Sequence, residues 1–89
     1  MVKHEQKFLE WNEKNKIGSN DQNTAALKSL KSVSILIGDE LSEKNLFDEN
    51  CIEIISKRLR GLRSEKSISN HKIALRHYVK MIEDQAKLL

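Results

Sequence analysis

The sequence predicts an all-α domain, a four-helix bundle around a single core. Proline is absent and only three glycines occur. Helix-favouring Leu, Lys, Glu, Ala and Ile dominate the composition, and apolar residues recur at helical spacings in four segments. Since domains typically run to about 100 to 200 residues, 89 residues leave room for one core. The terminal Lys87-Leu88-Leu89 makes us expect that residues 1–89 are an N-terminal fragment of a larger protein.

The first two helices are predicted from apolar spacing and from glycine. The first runs from about Lys3 to Asn15, turns Phe8, Leu9 and Trp11 inward, and ends at Gly18, a left-handed cap. The second follows a cluster of N-cap residues, Ser19, Asn20 and Asp21. Its apolar stripe consists of Ala26, Leu30, Val33 and Ile37. Gly38 stands where a C-terminal cap belongs.

The third helix follows a polar connection over Asp39–Leu46. Three apolar side chains are expected to plug the core from this region: Leu41, Leu46 and Phe47. The helix can begin at Asp48 or at Asn50, and the latter would form a capping box with Glu53. Its buried residues are Ile52, Ile55 and Leu59. Gly61 is expected to end it.

The fourth helix is predicted to begin at Ser69, the expected N-cap. Ile68 and Ile73 flank this position at the spacing of a hydrophobic staple. An apolar stripe follows, made of Leu75, Tyr78, Ile82 and Ala86. All four elements therefore have an apolar face that can share one core.

Positive charge is concentrated in the C-terminal half. Between Lys57 and Lys80, eight Lys or Arg accompany one acidic residue, Glu65, so this stretch carries +7 and the rest −4 of the net +3. Four-residue spacing predicts a ridge of cations on the fourth helix, made of Lys72, Arg76 and Lys80. No acidic residue is interleaved with them. A second basic group lies just before it: Lys57, Arg58, Arg60, Arg63 and Lys66. Such a pattern predicts a face that binds the phosphates of duplex DNA. A merely solvated charged face is the alternative.

Few residues suggest catalysis or metal binding. His71 and His77 are six residues apart, which does not place two ligands on one helix face, although His71 can also donate to a phosphate. Cys51 is the single cysteine and is expected to pack as a small apolar side chain. We therefore expect no metal, no cofactor and no enzymatic activity in this fragment. The charged N-terminus and the absence of a long apolar run predict a cytoplasmic chain with no membrane contact.

Three segments resemble the N-terminal, SAM-like core-binding domain of phage integrases and other tyrosine recombinases. They are Phe8–Trp11, Leu41–Ile55 and Ser67–Ile82, the last with the Ala-Leu-Arg core typical of the closing helix. The resemblance implies a SAM-like bundle that grips one side of a recombination site and self-associates in a larger recombination complex. It also implies that Lys72, Arg76, Lys80 and His71 face the DNA. Catalysis would belong to a separate C-terminal domain.

Two further interpretations stay open. The segment Asn70–Ile82 also resembles a helical module that precedes the nuclease domain of some restriction endonucleases. The second helix departs from the recombinase pattern, because it has Ala25 and Ala26 with only Lys28 and Lys31 as cations. A helical module that docks on an acidic protein surface is the third interpretation.

Overall fold

A computed structural model of the chain describes residues 2–15 and 20–87. Its helices are α1 (Glu5–Lys14), α2 (Asn20–Ile37), α3 (Glu49–Leu59) and α4 (Glu65–Lys87). Within those two ranges there is no strand, and extended pairing is limited to isolated bridges between Val2 and Leu41 and between Arg60 and Arg63. The expected all-α, four-helix domain is therefore confirmed.

The core lies between α2 and α4, which pack along each other, while α1 and α3 each pack against both. Most of the predicted stripe residues are buried: Leu30, Val33, Ile37, Ile52, Ile55, Leu59, Leu75 and Tyr78. Ala26 and Ile82 are partly buried against the same cluster. The expected caps at Gly18 and Ser19, the capping side chains of Asn20 and Asp21, and the burial of Ala86 fall outside the described part of the chain.

The N-terminal segment and α1 are held to α4 by two long-range hydrogen bonds. Trp11 Nε1 donates to Asp84 Oδ2 at 2.7 Å, and the Tyr78 hydroxyl donates to the Lys3 carbonyl at 2.7 Å. Phe8 is fully buried and its ring lies 5.9 Å from that of Tyr78. The inward face predicted for the first helix is confirmed, and it packs against both α2 and α4.

The connection after α2 begins at Gly38, whose φ of 72° fits the predicted left-handed cap. Leu41 and Leu46 are fully buried, as expected, but Phe47 is 49% exposed, so its assignment to the core is wrong. Phe47 lies at a bend between the buried Leu46 and Asp48, the residue before α3. Because Leu46 takes the inward position, Phe47 points to solvent.

Asp48 is the N-cap of α3. Its Oδ1 accepts a hydrogen bond from the backbone N–H of Cys51 at 2.9 Å, which selects this start over the alternative at Asn50. At the other end, Gly61 has a φ of 89°, a value that favours glycine, and the chain reverses there as expected.

Helix α4 begins at Glu65, which puts its N-cap at Ser64, five residues before the predicted cap, so the assignment of Ser69 as N-cap is wrong. The Ser64 hydroxyl accepts a hydrogen bond from the Ser67 N–H at 3.3 Å, which is the capping contact. The predicted staple is also wrong, because Ile68 is buried while Ile73 is 53% exposed. Both lie inside the helix, where residues five apart point in different directions.

Candidate nucleic-acid interface

Helices α3 and α4, which pack against each other, each carry a row of cations. On α4, four-residue spacing aligns Lys72, Arg76 and Lys80. On α3 and its C-cap, similar spacing aligns Lys57 and Arg60. The two helices pack against each other, and contacts between Glu53 and Lys72 join the rows. We call these rows, together with Arg63 and Lys66 at the turn between the two helices, the α3–α4 surface.

Carboxylates of α3 occupy the seam between the rows. Glu53 Oε1 lies 3.0 Å from Lys72 Nζ, and Glu49 Oε1 lies 3.2 Å from Arg76 Nε. The α4 ridge has no interleaved acids of its own, as expected, but acids of α3 pair with Lys72 and Arg76. Sequence spacing within α4 could not show this, because the acids come from a different helix that packs beside it.

Arg58 points away from this surface and holds α2 and α3 together. Its guanidinium donates to the Ile37 carbonyl at 2.6 Å and to Asp39 Oδ2 at 3.0 Å. Ile37 is the last residue of α2, where backbone carbonyls lack partners within the helix. Arg58 thus acts as a C-terminal cap of α2, and both terminal nitrogens of its guanidinium donate within the protein.

The remaining Lys and Arg candidates are more accessible. Four of them form no ion pair with any described residue: Lys57, Arg63, Lys66 and Lys80. Arg60 makes only a long contact, 4.0 Å from Glu65, and both side chains are exposed. Lys66, Ile73 and Lys80 are seven residues apart and lie on one solvent-facing side of α4. This side presents two free cations around an exposed isoleucine.

Backbone hydrogen bonds hold the turn between α3 and α4. The N–H groups of Leu62 and Arg63 both donate to the Leu59 carbonyl, at 3.0 and 3.1 Å. Arg63 also donates from its guanidinium to the Leu62 carbonyl at 2.9 Å, while the Leu62 side chain is 51% exposed. The end of the bundle between α3 and α4 therefore carries basic side chains on a defined backbone.

The two histidines of α4 differ from the cationic rows. Burial lowers the pKa of His71, and the charge of Arg63 lowers it further. Burial likewise lowers the pKa of His77, with Lys80 adding to the effect. His71 Nδ1 is buried without a hydrogen-bond partner. The lowered pKa values favour the neutral imidazoles at pH 7, so His71, a predicted DNA-binding residue, adds little positive charge there.

Some consequential residues were not predicted from sequence. Glu49 and Glu53 were not recognised as members of the site, although their four-residue spacing on α3 was available as a signal. Asn12 was also missed: it is fully buried on α1 with neither side-chain polar atom hydrogen-bonded. No signal in the sequence distinguishes Asn12 from the other polar residues of α1.

No protein-family model, curated protein or solved structure matches this chain. The geometry itself must therefore support any functional assignment. In the parts that the structure describes, no three His, Cys, Asp or Glu side chains are placed to hold a metal ion. None of the helices, over the same residues, combines the length and apolar character needed to span a membrane.

Proposed function

We propose that this chain is a non-catalytic module that binds duplex DNA through the α3–α4 surface. The observation that carries the proposal is the group of cations on two adjoining helices and the turn between them, of which Lys57, Lys66 and Lys80 are free of carboxylates among the described residues. Lys and Arg side chains held together on one face bind the phosphate backbone and release its counterions.

The arrangement favours backbone contact over base recognition. Its free cations are mainly lysines, which contribute charge rather than bidentate base contacts, whereas Arg58 and Arg76 are engaged with other parts of the protein. Arg63 is the exception, because it lies on the turn with no ion pair to a described residue. We therefore expect binding that is strongly salt-dependent and weakly sequence-dependent.

The biological setting that we propose is site-specific DNA recombination. The support is the resemblance of Ser67–Ile82 to the closing helix of recombinase core-binding domains. A parent restriction endonuclease is the alternative within DNA metabolism, from the resemblance of Asn70–Ile82. In either case the module would position DNA for a catalytic domain elsewhere in the parent protein.

A docking module for an acidic protein surface is the second candidate. The observation that favours it is Ile73, which is 53% exposed between Lys66 and Lys80. An apolar side chain flanked by cations fits the core and rim of a protein interface. Duplex DNA offers an exposed apolar side chain fewer contacts, chiefly with the methyl group of thymine.

The test is a binding titration with a mixed-sequence duplex at several salt concentrations. The triple variant Lys57→Gln, Arg63→Gln, Lys66→Gln removes free cations without breaking an ion pair to any described residue. The matched control is Lys7→Gln, Lys14→Gln, Lys28→Gln, which removes the same charge from exposed positions on α1 and α2. At about 0.9 per lost phosphate contact, the first variant should flatten the slope of log K against log salt by roughly 3.

The control should retain most of the wild-type slope, because its charges act on DNA only from a distance. Equal losses in the two variants would mean that net charge, and not this surface, governs binding. Wild-type protein with no salt-dependent binding at all would contradict the DNA proposal and leave the acidic-protein candidate.

A further inference from the structure

Glu53 lies among three cations at the seam of the α3–α4 surface. Its Oε1 is 3.0 Å from Lys72 Nζ. The hydrogen bond and charge of Lys72 lower the pKa of the Glu53 carboxyl, and the charges of Arg60 and Arg76 lower it further. One carboxylate therefore occupies the position where the positive field of both basic rows overlaps.

A phosphate group also suits the position that the Glu53 carboxylate occupies. Carboxylate and phosphate oxygens are bound by the same Lys and Arg donors, with similar geometry. The side chain of Glu53 is 48% exposed and that of Lys72 is 25% exposed, so water and solutes reach the pair. Because exposed ion pairs contribute little to stability, Lys72 can exchange one anionic partner for another.

Glu49 is placed differently. It contacts Arg76 alone among the described cations, at 3.2 Å, and its side chain is 61% exposed. It has one cationic neighbour within ion-pair distance and lies nearer to the start of α3. Of the two seam carboxylates, Glu53 is the one surrounded by positive charge.

We propose that Glu53 is a built-in competitor of the DNA phosphate, which holds Lys72 until a phosphodiester group displaces it. The proposal rests on the DNA-binding function inferred above and adds regulation of that same surface. In the free protein Glu53 neutralises the seam. On binding, Lys72 and the nearby Arg60 and Arg76 turn to the phosphate while the carboxylate moves into water. The protein thus binds DNA more weakly than its cations alone would allow.

The experiment compares duplex binding by wild type, Glu53→Gln and Glu13→Gln at several salt concentrations. Glu13 is an exposed residue of α1 without an ion pair to any described residue, so its variant has the same net charge as Glu53→Gln. Because the phosphate no longer has to displace a carboxylate from Lys72, Glu53→Gln should raise affinity about 3- to 5-fold at low salt. Glu13→Gln should raise affinity less than about 2-fold, through net charge only.

A second comparison uses Lys72→Gln. In that background, Glu53→Gln should gain much less affinity, because the cation that it releases is gone. Circular dichroism and urea unfolding of every variant establish that each is folded, and Glu49→Gln offers a milder variant of the same seam. We expect it to raise affinity less than Glu53→Gln does.

The outcomes separate the two proposals. If wild type binds DNA and Glu53→Gln behaves as Glu13→Gln does, the competitor role is overturned while the DNA-binding function stands. If neither wild type nor Glu53→Gln shows salt-dependent binding, both proposals are overturned. Equal gains from Glu53→Gln with and without Lys72 would also overturn the competitor role.

Discussion

Arg58 Nη2 donates a 2.6 Å hydrogen bond to the carbonyl of Ile37, the last residue of α2. A residue of the basic stretch thereby caps a helix that ends 21 residues earlier in the chain. The same guanidinium contacts Asp39, so Arg58 joins α3 to the end of α2. Its role is structural, and the first prediction follows from it.

Replacing Arg58 with alanine should lower the free energy of unfolding. We expect a loss of about 1 kcal/mol, at the low end for charge-assisted hydrogen bonds because nearly half of the side chain is in water. Arg63→Ala is the control, since its guanidinium reaches only the adjacent Leu62 carbonyl, and it should change stability by less than about 0.5 kcal/mol. Urea unfolding measures both, and equal losses would contradict the capping role.

The start of α4 can be tested with serine variants. Ser64→Ala removes the oxygen that accepts from the Ser67 N–H and should cost about 1 kcal/mol of stability. Ser69→Ala changes an exposed position inside the helix and should leave stability the same or slightly higher. Thermal unfolding followed by circular dichroism compares the two. A larger loss of stability in Ser69→Ala than in Ser64→Ala would support Ser69 as the N-cap, as predicted from sequence.

Asn12 is predicted to lower the stability of the fold. Both of its side-chain polar atoms are buried without a hydrogen bond in the described part of the chain, and an unpaired buried polar group costs about 1 to 3 kcal/mol. Leucine has the same branched shape as asparagine without its polar atoms, so Asn12→Leu should raise the free energy of unfolding by about 1 kcal/mol. Asn12→Ala, which leaves a cavity, should gain less. Denaturant titration of both variants tests this, and a loss in Asn12→Leu would point to a polar partner such as a buried water.

The two α4 histidines should titrate below the ordinary histidine pKa. Their folded-state pKa values are lowered, so the unfolded chain binds protons more readily, and stability should fall as the pH drops below about 6.5. In NMR titrations, each of two single variants should shift the pKa of one histidine only. Arg63→Gln should raise the pKa of His71 alone, and Lys80→Gln should raise that of His77 alone. Identical shifts of both histidines in either variant would contradict these assignments.

Tyr78 should make the fold sensitive to alkali. Burial raises the pKa of its hydroxyl, and the charges of Glu43 and Glu40 add to this. Its stabilising contribution is present below about pH 10, the ordinary tyrosine pKa, and is lost as the pH rises above that value. Tyr78→Phe should remove this decline and cost about 1 kcal/mol at neutral pH, because the bond to the Lys3 carbonyl is lost. If Tyr78→Phe loses stability at high pH to the same extent, groups other than Tyr78 cause the decline.

Short-range patterns determined much of this protein. The apolar stripes of all four helices, the caps at Gly38 and Gly61, and the burial of Leu41 and Leu46 follow from spacing and backbone preference. The concentration of cations in the last two helices is likewise visible in the sequence alone. These features depend on residues within one or two helical turns of each other, which is the range over which sequence periodicity carries information.

Only the tertiary structure decided which charges meet. Lys72 and Arg76 lie beside Glu53 and Glu49 because α3 packs along α4, and no spacing within one helix specifies that contact. The same holds for Arg58, whose partners belong to the end of α2. Ion pairs and caps between helices depend on how whole apolar faces pack. The sequence therefore located the positive charge, and helix packing decided how much of it remains free.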